Sequence, residues 1–240
     1  MAAGGAPDGA GWRWMAVNEG NAGMDTARPP LDLNGVKIWK GALSRAEQAA
    51  LVEDLRAVLA AAPLVAPVTP GGRKMSVRMS AAGRLGWISD AAGYRYAPRH
   101  PSGAPWPAIP ALALAVWRAL SGWPAPPDCC LVNWYGEGAR MGLHQDRDEG
   151  DFAAPVLSIS LGDPAMFRVG SRVGGVDRPS PSGALMLESG DVARLGGPAR
   201  LAYHGVDRIR FKASALLPHG GRINLTMRVV QTGAAPASCS

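Results

Sequence analysis

The sequence predicts a mainly β, α+β domain: a double-stranded β-helix (jelly roll) with an N-terminal helical buttress. Three observations predict it. Past Asp128 the chain breaks into short β-like runs: CCLVNWY, PVLSISL, AMFRVG, ALMLE, DVARL, ARLAYH and RINLTMRVV. Turns separate them at roughly 8–15 residues, the rhythm of antiparallel sheet, closed or sandwiched. Strands do not alternate with long helices, which removes the doubly wound folds. Helical periodicity is confined to two segments upstream of Asp128.

The elements follow in order. Residues 1–30 are rich in Gly, Ala, Pro and Asp without a sustained period, and are expected to be a flexible segment. DLNGVKIWK (32–40) suits a short strand with Val36 and Ile38 on one face. Ser44 with Glu47 forms a capping box, and Leu51, Leu55, Val58 and Leu59 then make one apolar stripe that Pro63 ends. A second helix is expected from Pro110 to Leu120, with Leu112, Val116, Trp117 and Leu120 toward the core. Between the helices, residues 69–98 are turns and short strands, and they carry Trp87, Tyr94 and Tyr96 among small residues. A single domain is expected over 31–231, followed by a flexible tail at 232–240.

Composition narrows the class. Apolar residues make up 47% and charged residues 18%, which is globular and not disordered. Lys plus Arg is 25 against 19 for Asp plus Glu, so the chain carries +6. That balance suits either an arginine-biased solvated surface or one that attracts nucleic acid. Three cysteines, two of them adjacent at Cys129 and Cys130, make no disulfide framework and no CxxC. No signal sequence and no membrane-spanning run is seen. The expected setting is the cytoplasm and the expected state a monomer, with no membrane partner.

The chemistry begins at LHQDRDE (143–149). His144 and Asp146 stand two apart, so on extended backbone an imidazole and a carboxylate point the same way. A third ligand must come from His100, His204 or His219. His204 ends the strand-like ARLAYH, whereas His219 lies in the turn-like PHGG and His100 in a loop. Two histidines and a carboxylate leave open positions on Fe(II) for a cosubstrate and oxygen. Zinc hydrolysis is the rival for the same donors.

RINLTMRVV then splits into two faces. Ile223, Leu225, Met227 and Val229 share one; Arg222, Asn224, Thr226 and Arg228 share the other. The polar face is either solvated or holds a ligand. Two arginines fixed on one face could grip a small dicarboxylate, because the guanidinium fork matches a carboxylate. Asn133 and Tyr135, two apart on the run before HQD, could aim at the same ligand.

The stretches NWYGEGARMGLHQDRDE, PVLSISLGDPAMF, LESGDVARLGGPARLAYHGV and GGRINLTMR resemble the AlkB family of Fe(II)/2-oxoglutarate-dependent nucleic-acid demethylases. TPGGRKMSVRMSAAGRLGW and GYRYAP resemble bacterial members of that family. The resemblance runs over roughly residues 35–230 in matched order and implies a jelly-roll core. It implies iron ligands His144, Asp146 and His204. It pairs Arg222 with the far carboxylate of 2-oxoglutarate, helped by Tyr135 and Asn224, and puts Arg228 and Asn133 near the chelating end. Residues 69–98 resemble the family's nucleotide-recognition lid: Trp87 stacking on a flipped methylated base with His144 on its other side, Tyr94 on the substrate backbone, and Asp148 facing the base's exocyclic nitrogen. The implied reaction consumes O2 and 2-oxoglutarate. It removes the methyl of N1-methyladenine or N3-methylcytosine in DNA, preferably single-stranded, as formaldehyde, leaving succinate. RNA is a further implied substrate. The alternatives are the same chemistry on tRNA or protein, and a nucleic-acid-binding module with weak catalysis. One departure is Leu195, where bacterial members carry tryptophan; another is the loop after Phe167.

Overall fold

A computed structural model describes residues 28–173 and 176–230. The flexible segments expected at either end fall almost wholly outside those residues. The chain opens on a hairpin, β1 (Leu31–Leu33) and β2 (Val36–Trp39), where the sequence suggested one strand. The turn is Asn34-Gly35, both with positive φ, the two-residue connection that matches strand twist. Val36 and Ile38 are fully buried on one face, as expected. Helix α1 (Arg45–Ala61) starts at the predicted capping box. The Glu47 backbone N–H donates to the Ser44 hydroxyl, and the Ser44 N–H donates to the Glu47 carboxylate at 2.7 Å.

Three strands follow: β3 (Arg78–Gly83), β4 (Gly86–Asp90) and β5 (Gly93–Ala97). Helix α2 (Ala111–Leu120) begins after Pro110. Its last carbonyls, Leu120 and Ser121, accept from the Arg194 guanidinium, a cation placed where the helix dipole favours one. The rest is sheet: β6 (Cys129–Tyr135), β7 (Met141–His144), β8 (Val156–Gly162), β9 (Ala165–Val173), β10 (Val176–Leu187), β11 (Val192–Leu195), β12 (His204–Ile209) and β13 (Arg222–Arg228).

One sequence expectation is corrected here. ARLAYH is not a strand. Gly197–Ala199 forms a 3₁₀ turn, and His204 opens β12 rather than closing the strand before it. Gly-Gly-Pro directly upstream explains this, since Gly197 takes positive φ and Pro198 fits the first helical turn but not a ladder.

The strands make a seven-stranded sheet ordered β1-β2-β11-β8-β13-β6-β3 and a four-stranded sheet ordered β10-β9-β12-β7. This is the expected mixed α+β architecture, a curled half-barrel of jelly-roll type with flanking helices. Period-2 alternation sorts side chains between two cores. Cys130, Val132, Leu157, Ile159, Leu161, Ile223, Leu225 and Met227 pack with the helix residues Leu51, Leu55, Val116 and Trp117. Their neighbours Leu131, Tyr135, Val156 and Ala193 pack with Phe167, Val169, Leu187 and Val206 of the smaller sheet. The second set forms the space between the sheets, and the site lies there.

Candidate metal centre and lid

The two histidine strands lie side by side. β7 pairs with β12 so that His144 stands opposite His204, with ring centroids 4.5 Å apart. Asp146 follows two residues past the end of β7, as its spacing requires. Its Oδ1 lies 3.6 Å from His144 Nε2, and its Oδ2 lies 3.7 Å from His204 Nε2. The three donor atoms fall within 4.8 Å of one another. Gly205 permits this pairing. A Cβ there would come within 2.8 Å of the Met141 carbonyl oxygen and 2.9 Å of the Gly142 backbone, so only glycine lets the strands approach.

The donors are prepared for a cation. His144 Nδ1 donates to the Gly142 carbonyl (2.9 Å) and His204 Nδ1 to the Ala202 carbonyl (3.0 Å), assigned from the acceptors present. Both Nε2 lone pairs therefore face the cluster, the outer-shell arrangement that orients metal-bound imidazoles. Burial, followed by the neighbouring His144, pushes the His204 pKa down to about 4 against the pull of Asp146, which keeps the ring neutral. Burial would raise the Asp146 pKa, but Arg228, with both histidines, outweighs it and holds the carboxyl well below the usual range. Asp146 Oδ2 is buried without a hydrogen-bond partner. Two Nε2 atoms aimed at one carboxylate with an unpartnered oxygen fit a divalent cation, and two-His-one-carboxylate sets leave positions open on Fe(II). His100 is elsewhere, buried against Trp106 and bonded to Ser102 and the Pro63 carbonyl; His219 is exposed.

A cavity of about 940 Å³ runs from this cluster between the sheets. Asn133, Tyr135, Ser158, Asn224, Thr226 and Arg228 line its inner end. All seven residues of β13 are buried, so its polar face is not solvated. The side chains there are chained: Asn133 Nδ2 donates to Thr226 Oγ1, Thr226 to Asn224 Oδ1, and Asn224 Nδ2 to Ser158 Oγ. Burial pushes the Tyr135 hydroxyl's pKa well up, so it stays a neutral donor. Arg222 sits one layer behind the cavity wall, fully buried. Its Nη2 donates to Ser160 Oγ (2.6 Å), and its Nη1 to the carbonyls of Asp163 and Leu187. Burial lowers its pKa to about 10, so it remains a cation at neutral pH. Its Nε has no partner.

Arg228 has other obligations than the sequence suggested. Its Nη2 grips Asp146 Oδ1 at 2.7 Å, and its Nη1 donates to Tyr96 Oη (2.8 Å) and Glu149 Oε1 (3.1 Å). Sequence reasoning missed Glu149 and Arg200, which complete the network. Glu149 is buried; its Oε1 accepts from the Tyr96 hydroxyl at 2.6 Å and its Oε2 from Arg200 at 2.9 Å. Arg200 also donates to the carbonyls of Asp146 (2.7 Å) and Ala154 (2.8 Å), clamping the loop that carries the metal carboxylate. Among the acids of DRDEGD no local pattern separates Glu149 from Asp148. The distinguishing signal is long-range: an arginine inside the otherwise apolar ARLA.

At the outer end, β4 and β5 form a separate two-stranded sheet over the cavity mouth. Trp87 on β4 and Tyr94 on β5 stack at 5.4 Å with a 21° interplanar angle. Trp87 Nε1 donates to Asp148 Oδ2 at 2.9 Å. All three line the same cavity as His144. Trp106 anchors the hairpin's base: its Nε1 donates to the Ala97 carbonyl, and its ring lies where a Cβ on Gly86 would be. Every site residue picked out in the sequence is thus at the cavity or directly behind it.

A jelly roll with this donor set and a polar cavity beside it defines a class of iron-dependent oxygenases. The sequence pattern of the 2OG-Fe(II) oxygenase superfamily matches residues 35–228. The chain is 55% identical over 207 residues to a Caulobacter vibrioides protein described as an alpha-ketoglutarate-dependent dioxygenase AlkB homolog, covering 86% of this chain and 92% of that one. It is 42% identical over 186 residues to alpha-ketoglutarate-dependent dioxygenase AlkB of Escherichia coli, covering 75% and 83%. A solved structure described as OsALKBH1 superposes with a TM-score of 0.65 at 31% identity, over 84% of this chain and 98% of that one. The protein belongs to the AlkB family of Fe(II)/2-oxoglutarate-dependent dioxygenases and acts on nucleic acids by oxidative demethylation, using Fe(II), 2-oxoglutarate and O2. Among the described residues no helix is long and apolar enough to cross a membrane.

Proposed function

We propose that the protein removes the methyl group from N1-methyladenine and N3-methylcytosine in DNA, favouring single strands. The observation that carries this reading is the composition of the cavity mouth. Trp87, Tyr94 and Asp148 are joined by a stack and a hydrogen bond, and His144 lines the same space. Both methylated bases are cations. An aromatic face beside a carboxylate suits a flat cation, through the ring quadrupole and through charge. The methyl also blocks base pairing, so extruding the base costs less than for an intact pair.

In this reading His144, Asp146 and His204 hold the iron. Bound Fe(II), with 2-oxoglutarate and O2, supplies the oxidising power, and the cosubstrate leaves as succinate and CO2. Arg222, with Tyr135 and Asn224, holds the far carboxylate of 2-oxoglutarate. The buried, unpartnered Arg222 Nε supports this, because an unsatisfied buried donor costs about 1–3 kcal/mol and gains that back when an anion arrives. Asn133, whose Oδ1 is also buried without a partner, and Arg228 border the chelating end. Trp87 stacks on the base, His144 closes its other face, Asp148 accepts from its exocyclic nitrogen, and Tyr94 meets the strand backbone. The hydroxylated methyl then breaks its C–N bond, releasing formaldehyde and the unmethylated base.

The test is formaldehyde release from single-stranded DNA carrying one N1-methyladenine, with Fe(II) and 2-oxoglutarate supplied. Release that exceeds that from methylated RNA and from duplex supports the reading. Release from RNA alone moves the substrate to RNA.

A further inference from the structure

A second, shallow pocket of about 450 Å³ lies on the outer face of the four-stranded sheet, lined by Arg140, Met166, Arg168, Met186, Asp207, Arg208 and Arg210. It adjoins the active-site cavity, since Arg140 and Asp207 line both. Its floor is apolar: Met166 on β9 stands directly opposite Met186 on β10. Its rim is basic. Asp207 is occupied by Arg168 at 2.6 Å, whereas the guanidinium groups of Arg140, Arg208 and Arg210 make no hydrogen bond or ion pair among the described residues. Three cationic groups are left over.

A β-bulge makes this arrangement. Val206 pairs with Phe167 and Ile209 with Ala165, so two residues of β12, Asp207 and Arg208, face the single Met166. Bulges re-aim side chains, and they recur beside active sites. Here the bulge puts a charge pair and a free arginine around an apolar floor, just outside the mouth where the base enters. No fold requirement calls for this: Val206 and Ile209 are buried in the core on either side, and the bulged pair contributes nothing to it.

We propose that this pocket is a second nucleotide subsite. Arg208 and Arg210, with Arg140, hold a backbone phosphate of the strand whose extruded base is in the active site, and Met166 and Met186 support the sugar or base attached to it. The proposal rests on a nucleic-acid substrate. It adds that affinity depends on strand beyond the extruded nucleotide. Phosphate contacts fix register without reading sequence.

The experiment measures binding by fluorescence anisotropy, separately from turnover, for a mononucleotide and for a single strand of roughly a dozen nucleotides. The proteins compared are the wild type, Arg208→Gln/Arg210→Gln, and Arg118→Gln on α2 as an exposed-charge control. The double variant is expected to bind the longer strand about fivefold or more weakly, with a salt slope smaller by roughly 0.7 for each phosphate it no longer neutralises. Its mononucleotide affinity, its 2-oxoglutarate turnover and the control stay unchanged. Equal weakening on both lengths, or none, overturns the subsite. Weakening seen only when a complementary strand is annealed overturns the same-strand assignment. Because binding is read without methylation, failure to release formaldehyde counts against the demethylase reading and leaves this test standing.

Discussion

The metal cluster and the lid open into one cavity but are built on opposite terms. Asp146, Glu149, Arg200 and Arg228 are all buried, and each holds at least two protein groups. Arg228 is on β13, which lies between β8 and β6, and Arg200 clamps the loop that carries Asp146 and Glu149. The lid is a two-stranded hairpin; Tyr94 is 48% exposed, and Asp148 is exposed as well. Its Trp87 is satisfied by groups that a substrate could replace: another ring and a surface carboxylate. The difference separates tasks. Iron must be held in one geometry, so its ligands rest on paired strands and a clamped loop. In the proposed function a base must enter and leave, and the contacts assigned to it there sit on an element that can re-pair at little cost.

Four measurements would sharpen or break that contrast. Asp146→Ala or His204→Ala should abolish formaldehyde release, a loss of at least ~10³-fold. Cosubstrate consumption should disappear with it, because among the described residues no other histidine or carboxylate joins the cluster. Glu149→Leu should lower unfolding free energy by about 3–5 kcal/mol in denaturant titration, since Arg200 and Arg228 lose their shared buried partner. A loss below ~1 kcal/mol would show that the metal end is no more rigid than the lid. Trp87→Ala should cost about 1–3 kcal/mol in kcat/KM on methylated strands and leave thermal stability almost unchanged. Substrate-free 2-oxoglutarate turnover should persist in this variant, which separates it from the ligand variants.

The smallest effect is on pH. His204 is pushed from its ordinary 6.5 down to about 4 in the fold, so below pH 6.5 the unfolded chain binds the proton more readily. Stability of the metal-free protein should therefore be full above about 6.5 and fall as pH drops toward 4. His204→Gln should flatten that slope in a pH series of melting curves.

What could be read in the sequence divides along the same line. Period 2 on 222–228 sorted β13's faces correctly, and the Ser44 capping box fixed where α1 begins. The pattern could not say whether the polar face of β13 meets water or ligand, because that depends on β13 lying mid-sheet between β8 and β6. His204 reads in the sequence as the end of a strand, whereas residues 199–203 only close a 3₁₀ turn and lead into β12. It still arrives opposite His144 because β12 starts there. Glu149 and Arg200 carry no local signal because their partners lie far off in the chain: each other, 51 residues apart, and for Glu149 also Arg228, 79 residues away. The lid's aromatics stood out because large rings among glycines have few other uses.

Gly205 has a consequence for reading relatives. The three ligands can all be retained while the centre is lost, because a single methyl group at position 205 would meet the Met141 and Gly142 backbone and push β12 away from β7. Such a chain would pass any search for two histidines and an aspartate at the right spacing, yet its imidazoles would no longer stand opposite one another. The absence of a side chain there is as much a part of the metal-binding signature as the side chains that bind.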